Sequence, residues 1–232
     1  MSDLTEIIAT VCLLVGGFLI IFSTYIFGVC KNKNHNNFIM FNTLLITYDW
    51  IFYIIFNLWL WFFAADMFLN PPLFNLPVLF IMIFFNLLLT VFILRRELNN
   101  NEQFRTWFQE HKAFCIFIAF CSLGSLNVLH VLNCKFNYMD IFDAKLSFTA
   151  EKKIIHASVI SLVLGDIPRL FLLGYLNMGL TDFYAVPTTS FFLTLLAINF
   201  GLFYRLYESM VRDYEIPAVQ EFVISKKQFL EA

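Results

Sequence analysis

The side chains best able to do chemistry in this sequence sit where charge is least expected. The run "VLGDIPRLFLL", residues 163–173, holds Asp166, Pro168 and Arg169 inside an otherwise apolar stretch, and "NTLLITYDWIFYIIFN", residues 42–57, holds Asp49. A carboxylate and a guanidinium in such surroundings can neutralise each other, hold a polar ligand or line a wet path. Each role requires them to face a protein interior. Asp166 and Arg169 are three residues apart and so neighbours on one helix face. Asn42, Asp49 and Tyr53 fall within an arc of about 40° on a helical wheel. Pro168 removes one backbone donor and frees a carbonyl near residue 164, so a bend over residues 165–168 is expected beside the pair.

The medium follows from composition. Of 232 residues, 60% are hydrophobic and 14% charged, with 31 phenylalanines, whereas soluble domains carry about 25% charged residues. This chain reads as an integral, multi-pass membrane protein. Its net charge of −2, with no basic stripe among aromatics, argues against nucleic-acid binding. His35, His111, His130 and His156 lack metal-ligand spacing. Neither a G-x-S-x-G elbow nor a glycine-rich phosphate loop occurs. No catalytic residue, metal site or cofactor is therefore assigned. The cysteines, Cys12, Cys30, Cys115, Cys121 and Cys134, form no C-x-x-C pair and read as small buried hydrophobes.

The elements that must position the charges are apolar runs at residues 7–30, 38–65, 73–94, 113–133, 154–180 and 183–204. A membrane-crossing helix needs about 20 residues at ~1.5 Å each. The expected fold is all-α and polytopic: a single transmembrane domain over 1–206 and a cytoplasmic tail over 207–232. The leader "MSDLTE" is acidic, so the first run reads as a retained helix with its N-terminus outside and not as a cleaved signal.

Lys and Arg are enriched in cytoplasmic loops, and their placement decides between two topologies. With all six runs crossing, Lys31, Lys33, Arg95, Arg96, Arg105 and Lys112 lie inside. Lys135, Lys145, Lys152, Lys153, Arg205, Arg212, Lys226 and Lys227 then lie outside. If residues 113–133 instead form a re-entrant hairpin, every one of these lies inside, with a cytoplasmic C-terminus. Gly124 and Ser125 near the middle of that run supply a turn. Each half is roughly 12–15 Å of helix, half a hydrocarbon thickness. Five full spans plus one hairpin is the preferred reading, and six full spans the alternative.

Residues 135–153 mix aromatics with both charge signs and are expected at the cytoplasmic interface. A short tail helix is expected to stop before Pro217. Asp49, Asp166 and Arg169 are expected to meet in an interior cluster of net charge near −1, with polar support from Asn42 and from His130, Asn86 or Asn199.

The stretch "LVLGDIPRLFLLGYL", preceded by "VLHVLNCKFNYMDIF", resembles a group of uncharacterised fungal multi-span membrane proteins. These carry an intramembrane E-D-I-P-Q motif followed by a further Gln. A similar acidic helix occurs in the XK-related family, some members of which are phospholipid scramblases with re-entrant half-helices. Asp166, Ile167 and Pro168 match the motif; Gly165, Arg169 and Leu173 depart from it. The resemblance implies a passive lipid or solute pathway lined by the charged cluster. That pathway is the preferred reading, and two others stand beside it: a non-catalytic scaffold or accessory subunit with the cluster sealed as internal glue, and an intramembrane enzyme. The enzyme would need His130 or His156 beside Asp49 or Asp166. Membrane lipids, and a second copy or another membrane protein, are the expected partners.

Overall fold

A computed structural model describes residues 4–31, 37–63, 71–179 and 184–230. Residues 32–36, with Lys33, residues 64–70, and residues 180–183, with the "TD" pair, lie outside the described residues, as do the side chains of Arg212, Lys226 and Lys227. Among the described residues the regular structure is all helical, without strands, and short irregular stretches join the helices. In lipid that is the expected solution, because a helix satisfies its own backbone.

Five segments are long and apolar enough to cross a membrane: Leu4–Lys31, Asn37–Phe62, Asn75–Asn100, Phe148–Met178 and Ala185–Tyr207. The first is helix α1, Leu4–Lys31; the second lies in α2, Asn37–Phe63; the third in α3, Pro71–Asn100. Helix α3 runs beyond residue 94, where the apolar run ends, because "RREL" consists of good helix formers.

Asn101 then caps α4, Glu102–Glu110, its side chain accepting from Phe104 N at 3.1 Å. Phe104 and Trp107, three apart, are both buried, and Trp107 Nε1 donates to Asp140 O at 2.7 Å. The sequence suggested only a connecting stretch here. A capping Asn followed by apolar residues on one face makes it a helix instead.

Residues 112–133 form two short arms. Helix α5, Lys112–Cys121, has ten residues, roughly 15 Å. After a turn the chain continues as a 3-10 helix, Leu126–Asn133, buried from Leu126 to Leu132. Asn86 Nδ2 donates to Leu123 O at 2.9 Å, and the hydroxyls of Thr90 and Ser122 lie 2.8 Å apart. Asn86 and Thr90 stand near the middle of the α3 span, so the turn sits at mid-helix depth. Gly124 belongs there because a Cβ would lie 2.6 Å from the Trp50 ring.

At its other end the second arm is held by Ala144 N, which donates to Leu132 O at 2.9 Å. Residues 135–147 then fold over the arms with four non-glycine residues at positive φ: Lys135, Asn137, Tyr138 and Lys145. Phe136 is buried, while Tyr138 and Met139 are exposed.

The fourth span is composite. Ser147 caps α6, Phe148–Ser161, accepting from Ala150 N at 3.2 Å. A π-turn follows at Leu162–Asp166, with Ile167 N bonded to Leu162 O, and α7 runs Ile167–Gly179. Where a bend was anticipated at 165–168, the chain has one wide turn, and Pro168 follows it within a continuous 31-residue helix, Phe148–Met178. Helix α8, Ala185–Leu230, continues past Pro217, where the tail helix was expected to stop. Proline removes one donor, and the bonds of the neighbouring turns can carry a helix through it.

The core has distinct centres. One gathers Trp107, Ile118, Leu129, Leu132 and Ile154 around the 126–133 arm, and a second stacks Tyr53, Phe56 and Trp59 against Leu173 and Leu176. Cys115 and Cys134 are buried as expected. Cys12 and Cys30 are exposed instead, because α1 packs through so little of its surface that 11% of its apolar window is buried.

Candidate functional site

Three helices bring the charged residues together. Asp49 stands at the midpoint of the α2 span, Arg169 in α7 just after the proline, and Thr194 near the midpoint of the α8 span. Arg169 forms a short ion pair with Asp49. Its Nη2 also donates to Thr194 Oγ1 at 2.8 Å, and Thr194 Oγ1 donates in turn to Asp49 Oδ1 at 2.8 Å. The hydroxyl both accepts from the cation and donates to the anion, closing a ring that ties α2, α7 and α8. Tyr53, one turn beyond Asp49, lays its ring 4.6 Å from the Arg169 guanidinium carbon, a cation–π contact. Its hydroxyl donates to Asn75 Oδ1 at 2.8 Å.

Burial around this ring is nearly complete. Arg169 is 1% exposed, Asp49 4% and Asp166 9%. Asp166 shares the cavity of the pair, while the hydrogen bonds of Arg169 go to Asp49 and Thr194. The direct partner of Arg169 is thus an acid on another helix, where spacing alone suggested its helix neighbour.

Arg205 completes the group. It was counted with the tail, yet it is buried and lines the same cavity, within electrostatic reach of Asp166. Its Nε donates to Ser158 Oγ at 3.1 Å and its Nη2 to Ser158 O at 2.8 Å, joining α8 to α6. With two acids and two arginines the formal charge is zero, where −1 was expected from three residues. Neutrality is what a buried group of ions needs to persist.

The cavity between these side chains is also lined by Trp50, Gly124, Ser125 and Asn127. The volume open to the centre of a water-sized sphere is ≈ 10 Å³. That is about the need of one water and far below the few hundred Å³ of an ordinary ligand site.

Other expected members lie elsewhere. Asn42 and His130 are buried but outside the cavity lining; His130 packs edge-on against Tyr204, with ring centroids 5.4 Å apart. Asn86 holds the turn at Leu123, and Asn199 bonds back to Leu195 O in its own helix. His156 places Nδ1 2.7 Å from Lys152 O, within its own helix, and does not line the cavity. Neither histidine that an acid–base pair would require is therefore in the cavity with Asp49 and Asp166. Among the described residues no cluster of His, Cys, Asp and Glu could hold a metal ion.

A third buried acid was not anticipated. Glu97, 4% exposed, accepts from Asn101 Nδ2 at 2.6 Å, from Ser147 N at 2.7 Å and from Ser147 Oγ at 2.9 Å. It fastens the end of α3 to the caps of α4 and α6. The capping residues were visible in the sequence; their shared partner was not.

Protein-family models, curated proteins and solved structures were compared with this chain, and none matched.

Proposed function

We propose that this is a non-catalytic, multi-pass membrane protein, a scaffold or accessory subunit, in which Asp49, Arg169 and Thr194 form a structural brace. The observation carrying this reading is the closed ring of hydrogen bonds, beside a cavity with room for about one water. A lipid pathway needs charges open to a groove that headgroups can enter. The brace instead spends every strong contact on joining helices.

Five full spans and a hairpin at 112–133 belong to the same reading. The ten-residue length of α5, the turn held at the middle of α3, and the return of the second arm to Ala144 all support it. With the hairpin re-entrant, the charged loops gather on the cytoplasmic face. Burying Arg205 removes one charge from that face and adds none to the other.

One observation favours a second reading, the closed state of a lipid or solute pathway of the kind the E-D-I-P-Q resemblance implies. The π-turn at Leu162–Asp166 borders the cavity through Leu162 and Asp166, and π-turns inside helices are frequent at functional sites.

Reconstitution separates the two. Purified protein is placed in liposomes with labelled phospholipid, and wild type is compared with Asp166→Asn and Arg169→Gln. A brace gives no lipid movement above protein-free liposomes, while the Arg169 substitution lowers thermal stability. Movement in wild type that either substitution alters would establish the pathway.

A further inference from the structure

A groove between α3 and α6 has a different character from the cavity of the charged cluster. Its volume is ≈ 450 Å³, its walls include Leu89, Phe92 and Ile160, and Lys152, Lys153 and His156 stand along it. No carboxylate lines it. The cations lie in the first two turns of α6, and Phe92 lies one turn before Arg95 and Arg96 on α3. Basic groups are thus placed at one depth and apolar walls continue from them. Lys153 Nζ lies 5.7 Å from the Phe92 ring centroid, so the lysine stems line the apolar walls while their charged ends stand at the edge of the groove.

We propose that this groove binds an anionic glycerophospholipid, its phosphate against Lys152 and Lys153 and one acyl chain along Phe92 and Ile160. Charge complementarity selects this occupant. An apolar helix from a partner would leave the lysines unmatched, and a neutral lipid would bring no net charge to them. The site rests on the chain being membrane-embedded, and is independent of whether the charged cluster is a brace or a closed pathway.

The test uses full-length protein purified from membranes. It is exposed to equal amounts of phosphatidylglycerol and phosphatidylcholine with identical chains, and retained lipid is counted by native mass spectrometry. Wild type should retain phosphatidylglycerol with a preference of roughly thirtyfold, as two lysines near an anionic lipid imply. Lys152→Gln/Lys153→Gln should abolish the preference. Lys145→Gln, which removes an exposed lysine paired with Asp143, should leave it intact. Ile160→Trp, which fills the apolar part, should lower retention of lipid without unfolding the bundle.

Equal retention of both lipids by wild type would overturn the proposal, whatever the folding of the double variant. So would full displacement by millimolar inorganic phosphate, which would mark a simple anion site. Protein recovered in the aqueous fraction would remove the membrane-embedded reading, and this site with it.

Discussion

Asp49 and Arg169, 120 residues apart in sequence, meet as a buried ion pair whose two ends are bridged by one hydroxyl, that of Thr194. A pair of ions alone pays heavily for leaving water, and its net worth depends on how many of its hydrogen-bonding positions are filled. Here a threonine on a third helix bonds both the cation and the acid, a tyrosine ring on the helix of the acid covers the guanidinium, and Arg169 Nε is left buried without a hydrogen-bond partner.

The threonine gives the first prediction. Thr194→Val keeps the shape and removes both hydrogen bonds, so it should cost about 1–3 kcal/mol, with Thr194→Ser close to wild type. Thermal unfolding in detergent reads this directly. Equal midpoints for the Val and Ser variants would show that the hydroxyl is idle.

A second prediction concerns the turn between the arms. With a Cβ at residue 124 only 2.6 Å from Trp50, Gly124→Ala should destabilise by about 1–3 kcal/mol through overpacking. A smaller residue opposite should relieve it, so Gly124→Ala/Trp50→Leu should fall less than the sum of the two single losses. Strict additivity, measured by the same unfolding midpoints, would place the turn away from α2.

Glu97 supplies a third. Glu97→Gln keeps the size but weakens charge-assisted bonds to Asn101 and Ser147, each worth about 1.5–3 kcal/mol. Limited proteolysis should then cut within residues 134–147 faster than in wild type. An unchanged cleavage rate would mean that the segment is held by its apolar residues alone.

Cys134 reports on the same segment. Burial pushes its thiol up to about 11, so at pH 8 it stays protonated and shielded. A water-soluble maleimide should leave it unmodified in folded protein and label it once the protein is unfolded. Rapid labelling of folded protein would contradict the packing of residues 135–147 over the arms.

What the sequence revealed, and what it hid, follows from the physics. Asp49, Asp166 and Arg169 were visible because a charge in an apolar run has few innocent explanations. Thr194 was not, since threonine is common in membrane helices and usually bonds to its own backbone, as Thr47 does to Thr43 O at 2.8 Å. Arg205 was hidden by position: at the edge of an apolar run it reads as a tail charge, and only the packing of α8 on α6 draws it inside. Helix α4 was overlooked because its charges break the apolar pattern, although Asn101 with Phe104, Trp107 and Phe108 carries the signature of a capped amphipathic helix.

The turn at 122–124 was legible as small residues in a long run. Its anchoring to Asn86 and Thr90 was not, because a side chain's partner on another helix leaves no mark in local spacing. Pro168 signalled a departure from regular helix, and that departure is the π-turn just before it, a form that local spacing does not specify.

The central claim is that Asp49 and Arg169 act as one structural unit, and a double-mutant cycle tests it most directly. Asp49→Asn and Arg169→Gln should each cost about 3–5 kcal/mol, because each strands a buried charge. The paired substitution removes both charges, leaves Asp166 and Arg205 to balance, and should cost clearly less than the sum of the two. Additive losses, or single substitutions that leave the unfolding midpoint unmoved, would contradict the brace.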